Sequence, residues 1–242
     1  VVDPLSTRFP DITIEQAYRI QERMLRRRLQ DGERIVGKKI GVTSAAVMNM
    51  LGVQEPDFGV LLDGMARADG ATISIGTLIQ PKAEGEIAFV LKDDLEGPGL
   101  TSADVLRATA GVMACIEIVD SRIRDWKMQI QDTVADNASC GLFVLGDRLI
   151  DPRDLDLRYC GMVMEKNGQI AVTGAGAATM GSPVNAVVWL AQALAQEGLA
   201  MQPGDLISLG SFSPLLPPKA GLSVTATFEG LPGAEPVRVS FK

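Results

Sequence analysis

Histidine is absent from the 242 residues. That excludes Ser-His-Asp and Cys-His nucleophilic mechanisms and every His-ligated zinc site. Cysteine is scarce. Cys115, Cys140 and Cys160 are odd in number and contain no Cys-x-x-Cys pair, which suits reduced thiols in a cytoplasmic protein. Any bound metal must therefore be held by oxygen, and acid–base work must fall to Asp, Glu, Lys, Tyr or water. No apolar stretch reaches the roughly 18 residues that a bilayer span needs, and no signal-peptide pattern opens the chain. The first residues, Val1-Val2-Asp3-Pro4, lack a Met, so native residues are expected to precede them. Positive charge is also in deficit. With 23 Lys and Arg against 30 Asp and Glu the net charge is −7, which argues against nucleic acid and against an anionic membrane surface as partners.

What is present is ordinary for a globular chain, 46% hydrophobic and 22% charged. The length allows a sizeable core in one large domain, or one domain plus a small lobe. There is no internal repeat. Gly174-Ala175-Gly176 lacks the third glycine of a dinucleotide fingerprint, since position 179 is Thr179, so it is taken as a glycine-rich connection.

The most informative stretch is Gln80-Pro81-Lys82-Ala83-Glu84-Gly85-Glu86-Ile87-Ala88-Phe89-Val90. In a strand, residues i and i+2 share a face, so Glu84 and Glu86 project side by side, and Gly85 leaves room for close approach. Glu117 lies inside a second apolar run, Val112 to Val119. An acid in such a run is costly unless it is paired, protonated or bound to a cation. Three converging carboxylates make an oxygen-rich site for Mg²⁺ or Mn²⁺. The same spacing also suits a solvated strand face with Glu117 paired to a Lys or Arg, and spacing alone leaves both open.

Thr13 with Gln16 forms a capping-box pattern at the head of a helix that Gly32 ends. The run Arg23, Arg26, Arg27 and Arg28 fits a solvated helix end better than a basic binding patch. Arg34 to Ser44 reads as a short strand, where Lys38 and Lys39 point to opposite faces, followed by a helix from Ser44 to about Met50. Thr101 with Asp104 starts another helix, running to about Gly111. Asp132 to Gly141 is dense in short polar residues and reads as a loop. Leu155 to Glu165 alternates like a strand, with Lys166-Asn167-Gly168 as a hairpin turn. Ser182-Pro183 is a helix start, and residues 222–228 and 236–241 form a final hairpin. The pattern predicts a β-rich core with a helical N-terminal lobe, 1–66, followed by a β-rich domain, 67–242.

Several stretches together resemble the bacterial 2-hydroxypenta-2,4-dienoate (2-oxopent-4-enoate) hydratases of aromatic meta-cleavage pathways, within the fumarylacetoacetate hydrolase superfamily. They are Val36-Gly37-Lys38-Lys39-Ile40-Gly41-Val42-Thr43-Ser44, Gln54-Glu55-Pro56-Asp57-Phe58-Gly59, Pro81-Lys82-Ala83-Glu84-Gly85-Glu86 and Glu117-Ile118-Val119-Asp120-Ser121-Arg122, with Asp132 to Ser139 and Gly181-Ser182-Pro183-Val184-Asn185. The resemblance spans nearly the whole chain. It implies an α+β fold, a mixed β-roll core of the fumarylacetoacetate hydrolase C-terminal type with a small helical N-terminal lobe. It implies a Mg²⁺ or Mn²⁺ held by Glu84, Glu86 and Glu117, catalytic roles for Lys39 and Asp57, and a substrate-binding role for Ser139. It further implies a small 2-hydroxy-dienoate or 2-oxo acid substrate, a homo-oligomer, and association with a 4-oxalocrotonate decarboxylase.

That decarboxylase activity is the alternative within the superfamily. Its sequences resemble this one in the Glu-x-Glu and the lysine, but usually place an aromatic residue where Asp57 stands. Trp126-Lys127 through Asp132-Thr133 also has the hydratase form. The superfamily's hydrolases activate water with a histidine, which this chain lacks. The competing class is a non-catalytic β-rich scaffold whose carboxylates are merely paired.

Overall fold

The computed structural model describes residues 1–242. The chain opens with a one-turn helix, α1 (Leu5–Arg8), and then α2 (Ile14–Gln30). Thr13 caps α2 through the expected reciprocal box with Gln16. Strand β1 (Ile35–Gly41), helix α3 (Ala45–Leu51), strand β2 (Asp57–Leu62) and the short strands β3 (Ala66–Arg67) and β4 (Ala71–Ile73) follow. Two long strands, β5 (Pro81–Leu91) and β6 (Thr109–Asp120), flank α4 (Ser102–Ala108). Next come α5 (Ile130–Ala135), β7 (Leu142–Leu145), β8 (Gly161–Lys166), β9 (Gln169–Ala175), α6 (Pro183–Gln196), β10 (Leu206–Ser208), β11 (Ser223–Glu229) and β12 (Val237–Phe241).

The strands form two sheets. Seven make the order β2-β1-β10-β5-β6-β7-β3 and five make β4-β12-β11-β8-β9. Most neighbours are antiparallel, but β1–β10, β3–β7 and β4–β12 are parallel. This is the expected mixed α+β core. The boundary expected at residue 66 passes through the larger sheet, because β1 and β2 precede it and pair within that sheet.

Alternation builds the core. Ala83, Ile87 and Phe89 of β5 and Ile116 and Ile118 of β6 join one cluster with Met162 and Met164 of β8, Val224 of β11 and Val239 of β12. Leu190 and Leu194 of α6 close it. Each such fully buried large side chain contributes about 1.5–3 kcal/mol. On the other face, Gln21 of α2 donates from Nε2 to Phe58 O and Val134 O, both at 3.0 Å, which pins α2 and α5 over β2. Asn137 accepts from Val60 N at 2.8 Å and donates to Val60 O at 2.9 Å. Its amide thus covers part of the free edge of β2 as a neighbouring strand would.

Three local readings change. Residues 130–139 are not a plain loop but contain α5 and a following turn of 3₁₀ helix. The helix expected to reach Gly111 ends at Ala108, because Thr109 enters the pairing of β6 with β5. Leu157–Tyr159 is a 3₁₀ turn, and the strand starts only at Gly161.

Candidate functional site

The register of β5 against β6 sets Glu84 opposite Glu117 and Glu86 opposite Cys115. One carboxylate oxygen from each of Glu84, Glu86 and Glu117 lies within 4.8 Å of the others. Glu86 is 0% exposed, Glu117 1% and Glu84 9%. Ala88, Cys115 and Phe143 are apolar neighbours on this face. Gly85 points the other way, where an added Cβ would lie 2.8 Å from Met162 Sδ. Its missing side chain thus makes room for the packing of the second sheet, not for the acids.

These acids are short of partners. Ser208 Oγ on β10 donates to Glu86 Oε2, but Glu86 Oε1 and both oxygens of Glu117 are buried without a hydrogen bond. Lys39 Nζ lies 3.0 Å from Glu117 Oε2, a charge contact without hydrogen-bond alignment. Burial, then the charges of Glu117 and Glu84, push Glu86 well above the usual carboxylate range. Burial pushes Glu117 up to about 7, against the pull of Lys39. Three acids in a dry face cannot all ionise unless a cation joins them. An all-oxygen donor set with unsatisfied lone pairs fits a hard divalent ion, Mg²⁺ or Mn²⁺.

Lys39 and Asp57 come from the β1–β2 pair. Lys39 stands opposite Gly59 and Gly41 opposite Asp57, so all four share one face, with glycines on one diagonal. A Cβ on Gly41 would meet Asp57 Oδ1 at 2.2 Å, and one on Gly59 would meet Asn137 O at 2.5 Å. The glycines therefore let Asp57 fold over β1 and let the Asn137 turn close down. Lys38 takes the opposite face, with Nζ 3.8 Å from Asp205 Oδ2. Three strand spacings separate β1 from β6, about 14 Å in a flat sheet, so the Lys39–Glu117 contact reflects the curl of this sheet around the site.

Lys39 is 3% exposed and Asp57 1%. Burial lowers the lysine, but the negative field of the neighbouring carboxylates, Glu117 foremost, outweighs it and holds the ammonium protonated. Burial raises Asp57, opposed by Lys39 and by the Thr133 hydrogen bond. Thr133 Oγ1 donates to Asp57 Oδ2 at 3.0 Å, leaving Oδ1 buried and unpartnered.

Ser139 sits elsewhere in the polar wall. Its hydroxyl donates to Asp136 Oδ2 at 3.1 Å, as does that of Ser121. Arg122 pairs with the same carboxylate and donates to Cys140 O. Ser139 is thus engaged with Asp136 rather than grouped with the three glutamates. Sequence reasoning missed Ser208 and Thr133 as site residues. Ser208 reaches Glu86 across 122 residues and Thr133 reaches Asp57 across 76, separations that carry no local signal.

Comparison with known proteins agrees with this architecture. Residues 44–236 match the family described as fumarylacetoacetate (FAA) hydrolase C-terminal. The chain belongs to the fumarylacetoacetate hydrolase family. Within that family it is 64% identical over 200 residues to a 2-hydroxypent-2,4-dienoate hydratase of Pseudomonas putida, covering 82% of this chain and 90% of the relative. It is 54% identical over 230 residues to a 2-hydroxyhexa-2,4-dienoate hydratase of Comamonas testosteroni, covering 94% and 87%. Among solved structures it resembles the 4-oxalocrotonate decarboxylase of Pseudomonas putida G7 complexed with magnesium and adipate. There the TM-score is 0.96 at 37% identity, with 100% of this chain and 90% of that one covered.

Proposed function

We propose that the protein is a hydro-lyase that adds water to 2-hydroxypenta-2,4-dienoate, giving 4-hydroxy-2-oxopentanoate in meta-cleavage catabolism of aromatic compounds. One observation carries the reading. A chain 64% identical to a dienoate hydratase brings Glu84, Glu86 and Glu117 together in a buried, histidine-free face. The decarboxylase alternative is supported by fold similarity, but identity to that protein falls to 37%.

Glu84, Glu86 and Glu117 would hold Mg²⁺ or Mn²⁺. When bound, such an ion supplies a Lewis-acid site that polarises an oxo acid at its open positions. The rest of the chemistry is proton movement. A proton must leave the C2 hydroxyl and one must reach C5; water must then add its oxygen at C4 while C3 gains a proton. Lys39 and Asp57 are the buried titratable groups whose placement supports that task. Lys39 holds a proton at Nζ, next to the carboxylates that keep it charged. Asp57 offers an unpartnered Oδ1 to a water, while Thr133 fixes its other oxygen. The surrounding apolar face excludes bulk water, which strengthens these interactions. Ser139 would act through the Asp136–Arg122 wall of the pocket. Self-association and docking of a 4-oxalocrotonate decarboxylase belong to the same proposal, and light scattering of the protein alone and mixed with that enzyme tests them.

The direct test is product identification by NMR after incubating the five-carbon dienoate with the protein and Mg²⁺. 4-Hydroxy-2-oxopentanoate is the expected product. CO₂ release from 2-oxo-hexenedioate, without hydration of the five-carbon substrate, would assign the chain to decarboxylation instead.

A further inference from the structure

Strand β5 carries a fourth residue on its acidic face. Positions 80, 82, 84 and 86 alternate together, and the register with β6 is unbroken from Pro81 to Val90. Lys82 therefore stands beside Glu84 on the side away from Glu86. Exposure rises along this column, from Glu86 at 0% through Glu84 at 9% to a half-buried Lys82. The column thus runs from the buried acids toward solvent, with an ammonium at its more exposed end.

That ammonium makes no ion pair. Its partner is the ring of Trp126, with Nζ 4.0 Å from the centroid. Trp126 is placed there by a constrained turn. Asp125 and Trp126 both adopt the left-handed region, at φ 56° and 57°, which costs a non-glycine residue about 1–3 kcal/mol. Gln80 holds the turn. Its Oε1 accepts from Asp125 N at 2.8 Å, its O accepts from Trp126 Nε1 at 3.0 Å, and its Nε2 donates to Ile123 O at 2.7 Å. Gln80, immediately before β5, thus fixes an indole face beneath the Lys82 cation. An indole stabilises an ammonium without neutralising it, so the positive charge remains available at the entrance.

We propose that Lys82, seated on Trp126, is the entrance cation that draws the anionic substrate toward the three carboxylates and sets the preference for anions over neutral analogues. This rests on the hydratase reading for the identity of the substrate, but not for the effect of the charge. A chain of net charge −7 repels a small anion, and a positive residue at the mouth of a low-dielectric pocket offsets that locally. Charges at a rim act on association and on salt dependence more than on the chemical step.

The test compares the Mg²⁺-loaded wild type with Lys82→Gln, Lys82→Met and Lys82→Arg. Steady-state hydration is measured from low salt to about 0.3 M NaCl, where the screening length falls below about 10 Å. Both neutral variants should raise KM about five- to twentyfold, with kcat changing less than about threefold, and should flatten the salt dependence of kcat/KM. Lys82→Arg should restore both. Calorimetric binding of oxalate to the same Mg²⁺-loaded proteins gives a readout free of turnover and should weaken in parallel. Lys82→Met keeps the aliphatic stem on the indole, so folding is retained if Lys82→Gln is unstable. Unchanged KM and oxalate affinity, a loss confined to kcat, or a wild-type salt slope in the neutral variants would overturn the proposal. If the wild type does not hydrate the dienoate, the functional reading falls, while the oxalate comparison still decides the role of Lys82.

Discussion

The two faces of the β5–β6 pair follow opposite rules. On the rear face Ala83, Ile87, Ile116 and Ile118 pack into the second sheet and leave nothing polar behind. On the front face the same two strands bury Glu84, Glu86 and Glu117, and Glu86 and Glu117 keep oxygens that lack hydrogen bonds. Alternation delivers both faces from one sequence, so stability and chemistry occupy the same ribbon without sharing a side chain. The rear face stabilises the fold. The front face destabilises the metal-free fold, because buried like charges cost free energy that only a cation recovers.

Substitutions on each face should separate the two. The largest effect belongs to the front face. Lys39→Ala and Asp57→Asn should each slow turnover by about 10²–10⁴-fold while Mn²⁺ still binds, read by calorimetry and steady-state rates. On the rear face, Ile116→Ala should cost about 2–5 kcal/mol of stability in urea unfolding and leave Mn²⁺ affinity unchanged. An effect of Ile116→Ala on metal affinity would mean that the faces are mechanically coupled. Ser208→Ala removes the only hydrogen-bond partner of Glu86 and should weaken Mn²⁺ binding by about 10–100-fold, the usual range for a group that orients a ligand.

The smallest effect is a pH slope. Glu117 titrates near 7 in the fold and near 4.5 when unfolded. A raised acid stabilises fully below its unfolded value, and that contribution is lost as pH rises through the folded one. The metal-free protein should therefore melt lower at pH 8 than at pH 5.5, and added Mg²⁺ should shrink the difference. A metal-free melting temperature that rises with pH across this window would contradict the buried-acid account.

Much of this contrast was legible in the sequence because it rests on period-two alternation. Glu84 and Glu86 had to share a face, Glu117 had to be buried, and Lys38 and Lys39 had to diverge. The hairpin around Asn167-Gly168 and the box of Thr13 with Gln16 are local and were equally readable. The parallel insertion of β10 between β1 and β5 was not, since it joins segments more than a hundred residues apart and leaves no periodic trace. That insertion brings Ser208 to Glu86. The short helix at Ile130–Ala135 was hidden by the polar composition that suits the site wall, and it carries Thr133 to Asp57.

The measurement closest to the central claim is a Mn²⁺ titration of the EDTA-stripped protein, following free ion by electron paramagnetic resonance and loss of dienol absorbance in the same samples. The account predicts one tight site per chain, hydration rising in proportion to its filling, and loss of both in Glu117→Gln. Full hydration by the stripped protein, or unaltered Mn²⁺ binding in Glu117→Gln, would contradict it.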